Sequence, residues 1–281
     1  MNIESRTIVI TGALKGIGLA ITNRMYVAGY NVCLLGKADK KSEGLHEVAD
    51  SVNRLDSIND QGKVTVFPTD LRDAKSIDDS LKAIFEQFNS IDVIINNASV
   101  IALNNTDEIT AEKFDLIFDI NVRAAYLLSK FALPYLQKSS NPHILNIAPP
   151  INLDPKWLGS HVSYTASKYL MGMITVGLST ELKPYQIAVN ALWPKTSIAS
   201  TDICNVISGT YVDNMKMMRD PSIVADAAYT IVNKHFSDAS GEQFIDEETL
   251  LDEGFEFPQD FDKYSVSKEE DAELLSSMYT D

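Results

Sequence analysis

The chain has 281 residues, of which 45% are hydrophobic and 22% are charged, and its formal net charge is -15. This length and composition fit one large globular α/β domain or two small ones. The negative charge argues against nucleic acid or an anionic membrane surface as a partner, and no apolar run approaches the roughly 20 residues of a membrane span.

Short apolar runs typical of strands alternate with helical patterns along the first 250 residues. The predicted strands cover 6–11, 31–36, 63–70, 91–98, 143–148, 187–194 and 242–247. The predicted helices cover 16–29, 42–57, 74–88, 112–137, 161–183 and 221–233. This alternation predicts right-handed βαβ units. We therefore expect a Rossmann-type, doubly wound α/β fold with a seven-stranded, mostly parallel sheet and helices on both faces.

The composition of the chain changes near Glu253, after which acidic residues dominate and the apolar pattern is interrupted. We expect a single domain over residues 1–253 and an acidic C-terminal tail over 254–281. One short helix at 267–278 is predicted within the tail, and a tail without fixed structure is the alternative.

The two cysteines, Cys33 and Cys204, offer neither a disulfide framework nor a metal-binding spacing, so we expect no metal site. The N-terminus enters the first strand within a few residues, which leaves no room for a signal or transit peptide. The final residues, SMYTD, are not a peroxisomal signal. We therefore expect a cytoplasmic protein.

The first strand ends in a glycine-rich turn, TGALKGIG, at residues 11–18. Gly12 permits a tight turn, Gly16 lets the backbone approach a pyrophosphate, and Gly18 allows close helix packing. The following helix N-terminus supplies N–H donors and positive potential. We therefore predict a dinucleotide site; a glycine-rich turn without a ligand is the alternative. Its predicted contacts are Gly12, Leu14, Lys15, Gly16, Ile17 and Gly18.

The residues at the end of the second strand, LLGKADKK, would lie near the adenosine ribose of a bound dinucleotide. An acidic residue here would bond the ribose 2′-hydroxyl, whereas a basic one favours a 2′-phosphate. Lys37 occupies this region, no acid appears before Asp39, and Lys15 is a second cation aimed at the same place. Each lysine alone could be a solvated surface charge, but the pair favours NADP(H) over NAD(H).

Two later strand ends complete the predicted cofactor site. Asp70 and Leu71 follow the third strand in PTDL. Asp70 could accept a hydrogen bond from the adenine amino group, or it could cap the next helix. Asn97 and Ala98 follow the fourth strand in NNAS, where small polar residues let the backbone approach a cofactor. A bare turn is the alternative.

Tyr164 and Lys168, in YTASK, lie four residues apart and so share one face of a helix. An ammonium close to a phenol favours phenolate and lowers the pKa of the tyrosine from about 10. Such a tyrosine can exchange a proton with a carbonyl or alcohol oxygen while hydride moves at a cofactor. The spacing alone is weak evidence, and it gains force from its place after the fifth strand.

Together, TGALKGIG, NNAS, Asn121 in NVRAAY, YTASK and VNALWP resemble the short-chain dehydrogenase/reductase superfamily in order and spacing, over roughly residues 5–250. A narrower set, HILNIAPPINLDPKW, IAVNALWPKT, ADAAY and FIDE, is similar to the hydroxysteroid dehydrogenase-like branch of the second type. Larger members of that branch carry a sterol-carrier-like domain, which we do not expect in this chain.

The resemblance implies roles for individual residues. Tyr164 would be the acid/base, and Lys168 would bond the nicotinamide ribose and lower the pKa of the tyrosine. Asn121 would hold a water that continues the proton relay. The glycines would cradle the pyrophosphate, with Lys37 at the 2′-phosphate and Asp70 at the adenine.

The resemblance also implies contacts of the loop after the sixth strand, and an assembly. Pro194, Thr196 and Ile198 would contact the nicotinamide carboxamide. The helices at 112–137 and 161–183 would pair between subunits of a homodimer or homotetramer, and both carry apolar residues on more than one face.

Two departures from the superfamily pattern affect the predicted chemistry. The usual Pro-Gly after the sixth strand is Pro194-Lys195, and lysine lacks the backbone freedom of glycine. We therefore expect that loop to take another path. The usual serine is also absent, because Ile151 stands thirteen residues before Tyr164 and Ala148 stands at the position where the narrower branch has serine.

These residues favour an NADP(H)-dependent oxidoreductase that moves hydride between nicotinamide and a carbonyl or secondary alcohol. Loss of the serine would cost a factor of ~10²–10³ in turnover. The alternative is a catalytically weak NADP(H)-binding sensor or partner subunit. We expect a small, hydrophobic substrate, although the methionines of the pocket-shaping segment at 197–220 are more typical of the core or a dimer face than of a lipid pocket.

Overall fold

The computed structural model describes residues 5–37, 40–53, 62–159, 161–200, 215–267 and 274–280, with side chains described from residue 44 onward in the second helix. Seven strands form one sheet in the order β3-β2-β1-β4-β5-β6-β7, and every neighbouring pair is parallel. The strands are β1 Thr7–Thr11, β2 Asn31–Gly36, β3 Val64–Pro68, β4 Val93–Asn96, β5 His143–Ile147, β6 Ala188–Trp193 and β7 Gln243–Ile245. The predicted doubly wound fold is confirmed. Its strand order reverses between β1 and β4, where such sheets open a ligand crevice.

Helices connect the strands and cover both faces of the sheet. They are α1 Gly16–Val27, α2 Lys40–Val52, α3 Ala74–Phe88, α4 Ala111–Phe118, α5 Ala125–Leu136, α6 Pro155–Leu158, α7 Val162–Glu181, α8 Ser222–Asn233 and α9 Asp246–Asp252. Within the described ranges, none combines the length and apolar character needed to cross a bilayer.

The alternating side chains of β1 show how the two apolar layers form. Ile8 and Ile10 belong to a core shared with α1 and α8, whereas Val9 belongs to one shared with α3 and α5. Because successive residues of a strand point to opposite faces, a continuous apolar run such as TIVIT is buried on both sides.

The predicted helix at 112–137 is divided in the structure. A π-helical turn, Asp119–Ala124, separates α4 from α5 and contains Asn121. π-Turns within helices are rare and often accompany functional sites. The apolar periodicity of 112–137 predicted one continuous helix and did not reveal this turn.

The other differences lie at element ends. The last predicted strand, 242–247, stops at Ile245 because Asp246 begins α9. The second helix ends at Val52, and residues 54–57 of the predicted helix lie outside the described residues. In the predicted tail helix at 267–278, residues 267 and 274–278 are not helical, and 268–273 lie outside the described residues.

The acidic tail packs against the domain where it is described. Phe261, Tyr264 and Tyr279 are each at most 3% exposed and join the core shared with α1 and α8. These aromatic residues bury a large apolar area although the surrounding sequence is acidic. The domain boundary at 253 stays a prediction.

Candidate active site

A cavity of about 740 Å³ lies at the carboxyl ends of the strands, around the point where the strand order reverses. The predicted site residues that line it are Gly12, Leu14, Lys15, Gly16, Ile17, Gly18, Lys37, Asp70, Leu71, Asn97, Ala98, Tyr164, Lys168, Pro194 and Ile198. The structure therefore brings these residues together. Asn121 and Thr196, also predicted, are buried behind the walls.

The glycine turn forms a cradle that side chains would block. Gly12 has a φ of +68°, and a Cβ added there would lie 2.8 Å from the Cα of Ala98. A Cβ on Gly18 would lie 2.4 Å from the carbonyl oxygen of Gly12. The Asn97 amide donates to the carbonyl oxygens of Thr11 and Gly12, both at 2.9 Å, and fixes the turn. This narrow backbone shelf before α1 fits a pyrophosphate.

Charged side chains gather on the β2 and β3 side of the cavity. Lys37 Nζ lies 3.4 Å from Asp70 Oδ2, and Arg72 Nη2 lies 3.1 Å from the same oxygen. The hydrogen bond from Arg72, opposed by slight burial, lowers the pKa of Asp70 to about 2. Asp73 caps α3 by accepting from Lys75 N, so the alternative reading of Asp70 as a helix cap is wrong. Arg72, which also lines the cavity, was missed in the sequence.

Tyr164 and Lys168 lie on the buried face of α7, each 3% exposed. Lys168 Nζ donates to the carbonyl oxygen of Ile147 at 3.0 Å and lies 5.5 Å from the centroid of the Trp193 ring. The last residues of β5 and β6 thus hold the lysine in place beside the cavity.

Burial is the largest cause of the pKa shifts of Tyr164 and Lys168. It lowers the pKa of Lys168 to about 7. It also raises the pKa of Tyr164 above its usual value of 10, with a further increase from Tyr279 and an opposing contribution from the Ser99 side chain. In this structure desolvation of the phenol is the largest cause and raises its pKa, and the expected lowering of that pKa by Lys168 stays a prediction.

The hydroxyl next to Tyr164 comes from the loop after β4. Ser99, the last residue of NNAS, lines the cavity together with Tyr164, and its side chain opposes the rise in the pKa of that tyrosine. Ala148 is 1% exposed and packs with Met171 and Ala191, whereas Ile151 lies outside the cavity with 38% exposure. Neither position expected to carry the missing serine faces the site. The sequence did not predict a role for the Ser99 side chain, because NNAS was interpreted only as a motif whose backbone approaches a cofactor.

The side chain of Asn121 is hydrogen-bonded within the protein, and its expected role of holding a water stays a prediction. Its Oδ1 accepts from Val100 N at 2.7 Å, and its Nδ2 donates to Val100 O at 3.2 Å and to Ser167 Oγ at 3.0 Å. With 0% exposure and these three protein partners, its side chain has no donor left for a water. It joins the loop after β4 to α7, and so positions Ser99 relative to Tyr164.

The loop after β6 is supported by distant residues. Lys195 needs no left-handed backbone conformation, and its N–H donates to Asp246 Oδ1 at 2.8 Å. Thr196 pairs with Ser276, and this explains why it lies away from the cavity. Ser277 and Met278 line the cavity instead. No sequence signal connects these tail residues to the site, because the contact depends on tertiary packing alone.

Comparisons with known proteins identify the family of this chain. The short chain dehydrogenase family model matches residues 6–208. Hydroxysteroid dehydrogenase-like protein 2 of Xenopus laevis is 41% identical over 262 residues, which are 93% of this chain and 60% of the relative. The human protein of that name is 38% identical over 261 residues, again 60% of its length. The chain thus spans about 60% of the length of these curated relatives.

Solved structures share the fold over nearly the whole chain. A short chain dehydrogenase from Mycobacterium thermoresistibile has a TM-score of 0.87 and 33% identity, covering 98% of this chain and 95% of that one. A second bacterial structure, a dehydrogenase from Xanthomonas campestris, has a TM-score of 0.88 and 33% identity with complete coverage of both chains. This chain belongs to the short-chain dehydrogenase/reductase family.

Proposed function

We propose that the chain is an NADP(H)-dependent oxidoreductase that moves hydride between nicotinamide and a carbonyl or secondary alcohol. One observation carries the proposal: a single cavity holds the glycine turn, the Tyr164–Lys168 pair and the cations near β2. The cations and the tyrosine lie on opposite sides of the β1–β4 centre, as a dinucleotide lying across the sheet requires.

The cofactor, when bound, would supply or accept the hydride, for which protein side chains are unsuited. Tyr164 would exchange a proton with the substrate oxygen. Lys168, already held by Ile147 O, would bond the nicotinamide ribose. Because its pKa is lowered to about 7, Lys168 can change charge near neutral pH. Pro194 and Ile198 would contact the nicotinamide.

The charges near β2 support NADP(H) over NAD(H). Lys15, Lys37 and Arg72 all line the cavity, where Asp70 is the acidic group paired with two of them. Among the described lining residues, Lys37 and Arg72 share the carboxylate of Asp70, which leaves a positive balance for a 2′-phosphate. Asp70 stays ionised at neutral pH and would accept from the adenine amino group.

The substrate is proposed to be hydrophobic. The cavity walls beyond the expected cofactor contacts are mostly apolar: Val100, Ile101, Leu103, Leu116, Ile120, Ile147 and Met278. A pocket of this kind binds chiefly by apolar contact, and its few polar groups orient the substrate.

A homodimer is proposed on the faces of α4, α5 and α7. Phe114 and Tyr126 are each 43% exposed, and Met173 and Val176 of α7 are 59% and 44% exposed. Exposed apolar side chains on these three helices suit an interface between two copies of the chain. A cytoplasmic location stays a prediction.

Cofactor binding and turnover test the proposal together. The wild-type protein should bind NADPH more tightly than NADH in a fluorescence titration and should oxidise NADPH with at least one apolar ketone or aldehyde. Tyr164→Phe should abolish turnover and keep NADPH binding. Tight NADPH binding without turnover of any carbonyl would favour the sensor alternative, and binding of neither cofactor would refute both.

A further inference from the structure

The C-terminal segment, Leu275–Thr280, runs beside the loop after β6 as an added strand. Thr196 pairs with Ser276 in antiparallel orientation. Ser197 N donates to Leu275 O at 2.8 Å, and Ser277 N donates to Lys195 O at 2.9 Å. These backbone hydrogen bonds pair one edge of the loop with the C-terminal segment.

The backbone of Arg219 forms hydrogen bonds with the other edge of the same loop. Its N–H donates to Ser197 O at 3.1 Å, and its carbonyl oxygen accepts from Ala199 N at 2.9 Å. The loop is therefore the middle strand between Arg219 and the C-terminal segment. Removing the segment leaves Ser197 N and Lys195 O without these partners, and the loop loses one of its two supports.

Tyr279 anchors the C-terminal segment next to the catalytic pair. Its ring lies 5.2 Å from the ring of Tyr169 and 5.9 Å from those of Trp157 and Trp193. Its hydroxyl lies 2.9 Å from Thr165 Oγ1, beside Tyr164 in the chain. Tyr279 has a φ of 74°, a left-handed conformation that a bulky residue adopts only when its surroundings compensate.

The neighbouring residues bring the segment into the cavity. Met278 O accepts from Trp193 Nε1 at 2.8 Å, and Thr280 Oγ1 donates to Lys195 O at 3.0 Å. Ser277 and Met278 line the cavity together with Tyr164 and Lys168. The segment therefore both supports the loop and forms part of the wall.

We infer that the C-terminal segment is a positioning element for the nicotinamide half of the cofactor, acting through the loop at 194–200. This inference rests on the proposed function. The adenosine half would be bound by the glycine turn, Lys37 and Arg72, which lie on the far side of β1. Loss of the segment should therefore weaken binding of the whole cofactor and spare binding of its adenosine fragment.

The test compares each cofactor with a fragment that lacks nicotinamide: NADPH with adenosine 2′,5′-bisphosphate, and NADH with ADP. Dissociation constants are measured by calorimetry for wild type, Tyr279→Ala and a chain ending at Leu274. Phe257→Ala is the matched control, because it removes a tail aromatic that is 59% exposed and outside the cavity wall. Thermal unfolding without ligand identifies folded variants.

Either variant should weaken binding of the preferred cofactor about tenfold or more and change binding of its fragment less than twofold. The control should change neither. Equal losses for cofactor and fragment, or no loss for either, would overturn the inference and leave the proposed function intact. Wild-type protein that binds no cofactor would overturn both.

Discussion

Tyr164 lines the same cavity as Ser99, which lies in the loop after β4, and the Ser99 side chain opposes the rise in the pKa of the phenol. A hydroxyl near the phenol thus comes from the end of β4, whereas the family pattern places one on the strand before the tyrosine helix. Asn121 holds this loop against α7 through Val100 and Ser167, so the hydroxyl is positioned by tertiary contacts.

Replacing Ser99 should slow turnover and shift its pH dependence. The Ser99 side chain opposes the burial that raises the pKa of Tyr164, so Ser99→Ala should raise that pKa further. Alcohol oxidation, which needs the deprotonated phenol, should then require higher pH, and kcat at pH 8 should fall about tenfold or more. Ser99→Thr keeps a hydroxyl and should retain most activity. An unchanged pH profile in the alanine variant would contradict this role.

Ala148→Ser should not increase turnover. The side chain of Ala148 packs against Met171 and Ala191, so an added hydroxyl would be buried among apolar groups. We expect a loss of about 1–3 kcal/mol in unfolding free energy, measured by denaturant titration, and unchanged kcat. A tenfold gain in kcat would instead show that the alanine limits the chemistry.

Lys37→Ala and Arg72→Ala should each reduce the preference for NADPH. Both side chains are partly exposed, so each phosphate contact should contribute about 1 kcal/mol, or roughly five- to tenfold in the dissociation constant for NADPH. NADH binding should change less than twofold. Lys75→Ala, which removes an exposed cation paired with Asp79, is the control. Parallel losses for both cofactors would argue against a 2′-phosphate contact.

Asp246 should make folding stability depend on pH. Burial raises its pKa to about 7, against hydrogen bonds from Lys195 N and Glu247 N and attraction to Arg219, while Glu247 adds repulsion. As pH rises from about 4 to 7, the unfolded carboxyl loses its proton first, so the stability that this group contributes falls. Asp246→Asn keeps a hydrogen-bond acceptor but cannot ionise, so this decline in stability should be absent from the variant.

Denaturant titrations at pH 5 and pH 8 test this directly. The stability of Asp246→Asn relative to wild type should increase between the two values. A constant difference would show that Asp246 ionises near its ordinary pKa in the folded protein.

Met173→Glu should weaken self-association. The side chain is 59% exposed on α7, and a carboxylate there would be desolvated in a paired interface. Analytical ultracentrifugation should show a shift from dimer to monomer. Leu153→Glu, at a residue 72% exposed outside both helices, should leave the dimer unchanged. A monomeric wild type, or an unaffected Met173→Glu dimer, would exclude this face.

The fold could be predicted from the sequence because its signals are local. Strand runs such as TIVIT and helical patterns between them define βαβ units, whose handedness and packing leave few arrangements. The glycine turn and the Tyr164–Lys168 pair are equally local, since each depends on neighbours within about two helical turns. Element ends were less accurate: Asp246 begins a helix where the pattern continued a strand.

The tertiary structure decided which groups meet in the cavity and how they ionise. Ser99, Met278 and Tyr279 reach the surroundings of Tyr164 across long stretches of chain, and no local pattern records such contacts. The pKa values of Tyr164 and Lys168 follow from burial, which depends on the packing of every surrounding element. The sequence alone thus determined the sheet, the glycine turn and the spacing that puts Tyr164 and Lys168 on one face of a helix. Packing alone decided the hydroxyl beside the tyrosine and the wall that closes the cavity, because both depend on contacts between residues far apart in the chain.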